Sequence, residues 1–155
     1  MEKATFGAGC FWGVEEFFRK IPGVINTTVG YMGGIVEHPT YEQVCTGQTG
    51  HAEVVQIVFN PQEVTYEQLL WEFFHMHDPT TLNRQGPDRG TQYRSVVFTH
   101  NSDQHEQAKA MKERLDQSGK FKNPIVTEIT SASTFFRAEE YHQRYLQKQG
   151  GPSCH

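Results

Sequence analysis

One glycine-rich turn near the start of the chain, Gly7-Ala8-Gly9-Cys10-Phe11-Trp12-Gly13, decides the fold around it. The run before it, residues 3–6, has the composition of a short strand. After it, apolar side chains recur at helical spacing with charged residues between them: Val14, Phe17, Phe18 and Ile21. The pattern predicts a strand, a tight turn and a helix, and it places Cys10 at the junction.

The position of Cys10 has a chemical consequence. The first N–H groups of a helix have no partner within it, and the positive end of the helix dipole points at the same corner. Both effects favour a negatively charged sulfur, so we expect the pKa of a thiol at this position to be lowered. These residues alone leave a second interpretation open, in which Cys10 is a small side chain buried in the core.

Length and composition indicate a soluble globular protein. A chain of 155 residues suits one domain with a substantial core. Charged residues make up 21% and hydrophobic ones 36%, and the net charge of -4 argues against a nucleic-acid binder, which usually carries a basic surface. We expect a single catalytic domain over residues 1–155, with residues 149–155 as a flexible C-terminal tail.

The start of the chain and its cysteine count bear on the compartment. Since only a few residues precede Cys10, we expect no signal peptide, and the sequence shows no apolar run long enough to span a membrane. The three cysteines are an odd number, which argues against a framework of disulfides. We therefore expect a cytoplasmic protein whose cysteines are catalytic, redox-active or merely buried.

The rest of the chain alternates between strand and helix patterns. Strands are predicted over residues 24–31, 50–59, 95–99 and 125–130, and helices over residues 65–77, 102–119 and 138–148, with one helical turn after Thr40. Because a strand, a helix and a second strand open the chain, a crossover unit is expected there. The order predicts one α/β domain, a mixed sheet with helices packed mainly on one face.

The strand over residues 50–59 carries a carboxyl on its apolar face. Glu53 shares that face with Val55, Ile57 and Phe59, because alternate residues of a strand point the same way. One interpretation is a partly buried acid with a raised pKa, available as a proton donor. The other is a polar strand end in water.

Three further features allow a prediction. The segment over residues 78–94 is long, polar and rich in Pro and Gly, which favours a binding loop. Cys45, between apolar and polar neighbours, is expected to be an ordinary buried cysteine. His75, His77 and Asp78 suggest a metal site, but the two histidines do not share a helical face and spacing places no third strong ligand, so none is predicted.

The turn around Cys10 and several later segments resemble one known family. Gly9-Cys10-Phe11-Trp12-Gly13 is similar to the signature of peptide methionine sulfoxide reductase A, which reduces the S epimer of methionine sulfoxide. Other similar segments follow in that family's order: Gly30-Tyr31 with Gly33-Gly34, Pro39-Thr40-Tyr41 with Val44-Cys45, Gly50-His51-Ala52-Glu53, Gln92-Tyr93-Arg94-Ser95 and Ala138-Glu139-Glu140-Tyr141-His142-Gln143. The resemblance implies a two-layer α/β sandwich built on a ferredoxin-like plait, and no metal or organic cofactor.

The resemblance also implies roles for individual residues. Cys10 matches the family's nucleophile, Glu53 its acid, and Tyr41 and Tyr93 the phenols that hydrogen-bond the sulfoxide oxygen. A sulfoxide has a polar oxygen and an electrophilic sulfur, so a thiolate, a protonated carboxyl and two hydrogen-bond donors suit its reduction. Without the resemblance, the two tyrosines would be ordinary loop residues.

The remaining matches concern the substrate and the recycling of the enzyme. Phe11 and Trp12 match the pocket for the substrate's methyl group, and Asp88 a carboxylate that lines it; plain core aromatics are the alternative for the first two. Cys154 resembles the C-terminal resolving cysteine. The resemblance implies that it condenses with a Cys10 sulfenic acid to a disulfide, which thioredoxin reduces. We expect a monomer that acts on methionine sulfoxide, free or in peptides, with no nucleic acid or membrane as partner.

Two functions from other classes remain open on the sequence alone. A cysteine hydrolase would use Cys10 as nucleophile, His51 as base and Glu53 as the group that orients the base. Such an enzyme has no use for Cys154. A redox-regulated binding module would use the same cysteines without turnover.

Overall fold

The computed structural model describes residues 1–149. Its strands, labelled in chain order, are β1 (Glu2–Ala8), β2 (Val24–Met32), β3 (Ala52–Phe59), β4 (Arg84–Gln85), β5 (Asp88–Arg89), β6 (Ser95–Thr99), β7 (Glu128–Ser131) and β8 (Phe136–Arg137). Its α-helices are α1 (Phe11–Arg19), α2 (Tyr41–Cys45), α3 (Tyr66–His75), α4 (Ser102–Gln117) and α5 (Tyr145–Gln149). No helix within these residues is both long enough and apolar enough to cross a bilayer.

One mixed sheet of six strands has the order β7-β6-β1-β3-β2-β8. Strand β3 lies between β1 and β2 and runs antiparallel to both, so β1 and β2 are parallel to each other without pairing. Strand β6 pairs with β1 antiparallel and with β7 parallel. The units β1–α1–β2 and β3–α3–β6 therefore interleave their strands, which is the order of a ferredoxin-like plait. The predicted crossover is present in this split form.

The main core lies between the sheet and the helices α1, α3 and α4. Phe6, in β1, stacks on Phe18 of α1 and on Phe73 of α3, with ring centroids 5.3 and 5.0 Å apart. The opposite face of the sheet carries a smaller cluster, which packs against Ala132 and Phe135 rather than against a helix. Helices on one face of a mixed sheet form a two-layer α/β sandwich, and the predicted fold class is confirmed.

The helix predicted over residues 138–148 is broken in the structure. It consists of a 3-10 helix, Glu140–His142, and α5, and Arg144 between them has a left-handed backbone with φ of 51°. The break has a tertiary cause, because the Gln143 side-chain amide pairs with both backbone polar groups of Val29, at 2.9 Å each. Hydrogen bonds to a distant strand here override local helix propensity.

Two other segments depart from the prediction in extent. The strand predicted over residues 125–130 begins only at Glu128, because the Ile125 N–H donates to the side chain of Asp116 at 2.8 Å instead of to the sheet. The loop over residues 78–94 contains the small hairpin of β4 and β5, followed by a short 3-10 helix, Thr91–Tyr93. This hairpin gives the predicted binding loop a fixed shape.

Candidate active site

Cys10 lies between the end of β1 and the first turn of α1. Gly9 before it has φ of 100°, which a residue with a side chain rarely adopts, and this turns the chain from strand to helix. Cys10 is the N-cap residue, and its carbonyl accepts the N–H of Val14 at 3.3 Å. The half-buried thiol therefore stands where first-turn N–H groups and the helix dipole favour a negative sulfur. The predicted position of Cys10 is confirmed.

Glu53 brings a carboxyl to the same end of α1. It lies near the start of β3, opposite Tyr31 of β2, and is 1% exposed. Its Oε1 accepts the N–H of Phe11, the first residue of α1, at 3.2 Å. The prediction of a carboxyl on the buried face of the strand is confirmed, and the alternative of a strand end in water is wrong.

Two tyrosines stand beside this carboxyl. Tyr41 is the first residue of α2, and its ring stacks on Phe11 with centroids 6.2 Å apart. Burial raises the pKa of the Tyr41 phenol, and the nearby Glu53 carboxyl raises it further. Tyr93 ends the 3-10 helix that follows the small hairpin. Burial raises the pKa of its phenol, and the Glu53 charge raises it further. Both phenols are therefore protonated near neutral pH and can donate hydrogen bonds.

Several other titratable groups also affect the pKa of Tyr93. Besides Glu53, the groups of Cys45, Asp88 and Cys10 all act electrostatically to raise its pKa. Asp88 is half-buried at the start of β5, so the small hairpin places it at this site. The structure thus brings together thiol, carboxyl and phenol groups from separate segments of the chain.

Aromatic side chains follow Cys10 along α1. Phe11 is fully buried, whereas Trp12 is partly exposed. The Trp12 ring stacks on Tyr145 with centroids 3.9 Å apart, and its indole N–H donates to Nδ1 of His142 at 2.9 Å. The His142 ring also packs against Phe11 and Tyr41, at 5.1 and 4.4 Å between centroids. These rings form one aromatic wall between α1, α2 and the C-terminal segment.

Glu139 links strand β2 to helix α2 through two hydrogen bonds. One carboxylate oxygen accepts the phenol of Tyr31 at 2.8 Å, and the other accepts the backbone N–H of Tyr41 at 2.9 Å. Burial acts to raise the pKa of Glu139, but the hydrogen bonds it accepts outweigh burial and leave that pKa below its ordinary value. An ionised Glu139 therefore fixes the start of α2 against β2, and with it the Tyr41 side chain.

His51, the base of a hypothetical cysteine hydrolase, is engaged elsewhere. Its Nδ1 accepts the N–H of Gly34 at 3.0 Å, and its Nε2 donates to the carbonyl of Val36 at 2.7 Å. The ring is 1% exposed and holds the glycine-rich loop that follows β2. Since both nitrogens are used in these bonds, neither is left to take a proton from Cys10.

The prediction that Cys45 is buried is wrong, because Cys45 is exposed at the end of α2. This helix is a single turn that buries only Val44, so the next position points outward. Desolvation nevertheless raises the pKa of the Cys45 thiol, against the hydrogen bond from the Tyr41 phenol, which lowers it. Cys154, the expected resolving cysteine, lies outside the described residues.

Among residues 1–149, no three His, Cys, Asp or Glu side chains are grouped so that they could hold a metal ion. The Nδ1 atoms of His75 and His77 each lie 2.6 Å from a helix carbonyl, those of Trp71 and Phe73. These two histidines therefore bond to the end of their own helix.

Known proteins resemble the chain over its whole length. The model of the family described as peptide methionine sulfoxide reductase matches residues 2–155. The protein named peptide methionine sulfoxide reductase MsrA in Methanoculleus marisnigri is 64% identical over 154 residues, which cover 99% of this chain and 94% of that protein. This chain belongs to the peptide methionine sulfoxide reductase family.

Solved structures share the fold of this chain. The reduced form of Mxr1 from Saccharomyces cerevisiae has a TM-score of 0.92 at 40% identity, over 99% of this chain and 88% of that one. Mxr1 has also been solved in complex with Trx2, and that structure has a TM-score of 0.66 at 28% identity, over 93% and 84% of the two chains. As a methionine sulfoxide reductase, the chain is an oxidoreductase.

Three residues that frame the reductase site have no role assigned from the sequence: Tyr31, Glu139 and His142. Each acts through a partner far along the chain, at separations of 108, 98 and 130 positions. The available signal was the concentration of carboxyl, phenol and imidazole groups over residues 139–142.

Proposed function

We propose that this reductase acts on the S epimer of methionine sulfoxide, free or in proteins, with Cys10 as nucleophile and Glu53 as acid. One observation carries the proposal: Glu53 accepts the N–H of Phe11, so a buried carboxyl reaches the helix end that holds a thiol. A soft nucleophile beside a proton donor is what the reduction of a sulfoxide requires.

The other groups of the site fit the parts of the substrate. The protonated phenols of Tyr41 and Tyr93 are suited to hydrogen-bond the sulfoxide oxygen as its charge develops. We assign the methyl pocket to the partly exposed Trp12, with the fully buried Phe11 packed behind it against Tyr41, and Asp88 lines the site beside Tyr93. In this assignment the two tyrosines also stabilise the oxygen while it receives its proton.

The reductive step balances in atoms and electrons. The Cys10 thiolate attacks the sulfoxide sulfur, and Glu53 gives its proton to the oxygen. The attack joins the two sulfurs in an intermediate. Its S–O bond then breaks as the protonated oxygen bonds to the Cys10 sulfur, and the sulfur–sulfur bond breaks with its electron pair left on methionine, so that Cys10 ends as a sulfenic acid. The thiolate is thereby oxidised, the sulfoxide is reduced, and Glu53 becomes a carboxylate.

Recycling requires a second thiol and an external dithiol. We infer that the Cys154 thiol condenses with the Cys10 sulfenic acid, so that a disulfide forms and water leaves. A dithiol then reduces this disulfide by exchange and becomes a disulfide itself. Thioredoxin is the dithiol we propose, and the complex of the related Mxr1 with Trx2, a thioredoxin, supports this choice.

We further propose that residues 1–155 form one catalytic domain, with the resolving cysteine within residues 149–155. One six-stranded sheet with one main core and a single small hairpin account for the described residues, which supports a single unit. We expect this domain to work as a monomer in the cytoplasm, without nucleic acid or membrane as partner. The net charge of -4 supports the absence of nucleic acid.

The direct assay is consumption of NADPH with thioredoxin, thioredoxin reductase and a methyl sulfoxide as substrate. The wild-type protein should consume the S epimer and leave the R epimer, and Cys10→Ser should be inactive even with dithiothreitol as reductant. Residual activity of Cys10→Ser above about a tenth of wild type, a deficit of less than about 1.4 kcal/mol in activation free energy, would contradict the assignment. No consumption at all would favour a binding module, and cleavage of an ester or amide panel would favour a hydrolase.

A further inference from the structure

Glu15, on α1, is a buried carboxyl that the proposed reaction does not use. It is 1% exposed, and burial raises the pKa of its carboxyl. Removing a carboxylate from water is unfavourable, and an apolar side chain of similar volume is often equally stabilising at such a position. A carboxyl here therefore requires specific partners.

Glu15 has two hydrogen-bond donors from distant segments. Its Oε2 accepts the hydroxyl of Thr27, in β2, at 2.7 Å, and its Oε1 accepts the backbone N–H of Arg144 at 2.6 Å. Arg144 has the left-handed backbone that separates the last 3-10 helix from α5. Since that conformation costs a residue with a side chain about 1–2 kcal/mol, the hydrogen bond that the Arg144 N–H donates to Glu15 helps to stabilise the break.

The break at Arg144 places two rings against Trp12. His142, before the break, accepts the Trp12 indole N–H at 2.9 Å, and Tyr145, after it, stacks on the indole at 3.9 Å between centroids. Glu15 follows Trp12 by one helical turn on α1. Glu15 thus anchors the segment around Arg144 to helix α1. That segment in turn contacts Trp12 on the same helix.

We propose that Glu15 is a positioning residue, which fixes Arg144 and thereby sets the orientation of Trp12 for the substrate's methyl group. The link from Trp12 to the substrate rests on the proposed function. The link from Glu15 to Trp12 concerns the protein without substrate. The two links can therefore be tested apart.

Tryptophan fluorescence measures the first link. The chain has two tryptophans, and Trp71, on α3, is 46% exposed, so a Trp71→Phe background leaves Trp12 as the only reporter. In that background, Glu15→Met keeps the length of the side chain but leaves the donors of Thr27 and Arg144 without an acceptor. We expect the acrylamide quenching constant of Trp12 to rise about twofold, because stacking on Tyr145 loosens.

Steady-state kinetics measure the second link. With excess dithiothreitol, we expect Glu15→Met to raise KM for a methyl sulfoxide roughly tenfold, which corresponds to about 1.4 kcal/mol of binding free energy. Its kcat should change less than about twofold, because Cys10 and Glu53 keep their positions. Glu15→Gln retains an acceptor for the Arg144 N–H and should restore both quantities. Glu16→Gln is the matched control, since Glu16 pairs with Arg19 and Lys20 and should leave both unchanged.

Several results would overturn the proposal. A merely structural role for Glu15 would lower the urea midpoint of Glu15→Met and leave quenching and KM of the folded protein at wild-type values. If Glu15→Met does not fold, Thr27→Val removes one donor only and should shift both quantities in the same direction. Wild-type quenching in that variant would equally overturn the role of Glu15. Altered quenching with an unchanged KM would keep the positioning of Trp12 and overturn its place in the proposed substrate pocket.

Discussion

Cys10 and Glu53 share one helix end, and the charge on each affects the other. Two negative charges at this corner disfavour one another, so we expect the two groups to titrate as a pair whose active form carries one charge, on sulfur. The N-terminus of α1 stabilises that charge. Because Glu53 is 1% exposed, its ionised form is poorly solvated, which favours a proton on the carboxyl.

Replacement of Glu53 should slow the transfer of oxygen to Cys10. We expect Glu53→Ala to lower the rate of sulfenic acid formation by roughly 10²–10⁴-fold, a typical loss for a general acid, and Glu53→Gln by less, because it keeps the shape and a weak donor. The wild-type rate should fall at high pH, where the carboxyl loses its proton, and this fall should vanish in Glu53→Gln. Rapid-mixing measurements across pH provide the check. Near-normal rates with an unchanged pH profile in these variants would show that Glu53 is not the acid and has only a structural role.

At the residue scale, positions fixed by local rules were predictable. The glycines before Cys10 and the alternation of β3 place Cys10 and Glu53 correctly, because both depend on neighbouring residues. The exposure of Cys45 was not predictable from its neighbours. It depends on how α2 is oriented, and Glu139 sets that orientation through the N–H of Tyr41, 98 positions away.

At the element scale, α2 is a short helix that carries Tyr41. It has only 5 residues, so it depends on its cap, in which the Thr40 hydroxyl oxygen accepts the N–H of Gln43 at 3.1 Å. The same capping box begins α3, where Thr65 accepts from Gln68, also at 3.1 Å. The two threonines therefore form a matched pair.

The paired substitutions separate stability from activity. Thr40→Ala and Thr65→Ala should each lower the free energy of unfolding by about 1 kcal/mol, the usual effect of losing a cap. We expect only Thr40→Ala to lower kcat as well, by about threefold or more, because it loosens the helix that carries Tyr41. Urea unfolding and steady-state assays measure both quantities. Equal activities in the two variants would show that the cap of α2 does not position Tyr41.

Long periodic elements were predictable, and short ones set by distant contacts were not. The apolar stripes of α3 and α4 and the apolar run of β6 predict these elements closely. The break near Arg144 was missed because it depends on Gln143 pairing with Val29 and on Glu15. A helix pattern in the sequence carries no sign of such distant partners.

At the scale of the whole molecule, the sheet order assembles the site. Strand β3 between β1 and β2 places Glu53 beside Tyr31 and next to the start of α1, although these residues are well separated in sequence. Local patterns predict the strands but not which strands pair, since pairing is non-local. The ferredoxin-like order of the strands was predicted from the family resemblance and not from local patterns.

Recycling by thioredoxin should depend on Cys154 and not on Cys45. Cys154→Ser should lose NADPH-linked turnover with thioredoxin but keep the first chemical step. Cys45→Ser should keep both, because desolvation raises the pKa of the Cys45 thiol and lowers its reactivity at neutral pH. The check is turnover of each variant together with peptide mapping of the oxidised wild type. A disulfide between Cys10 and Cys45 would show that the resolving partner is wrongly assigned.

The mass of the Cys10 peptide after a single turnover tests the central claim most directly. In Cys154→Ser, the S epimer of a methyl sulfoxide should yield one equivalent of sulfide, and the Cys10 peptide should gain one oxygen atom that a sulfenic acid probe traps. The R epimer should give neither product. Sulfide formed without oxygen on Cys10, or oxygen found on Cys45 instead, would contradict the account.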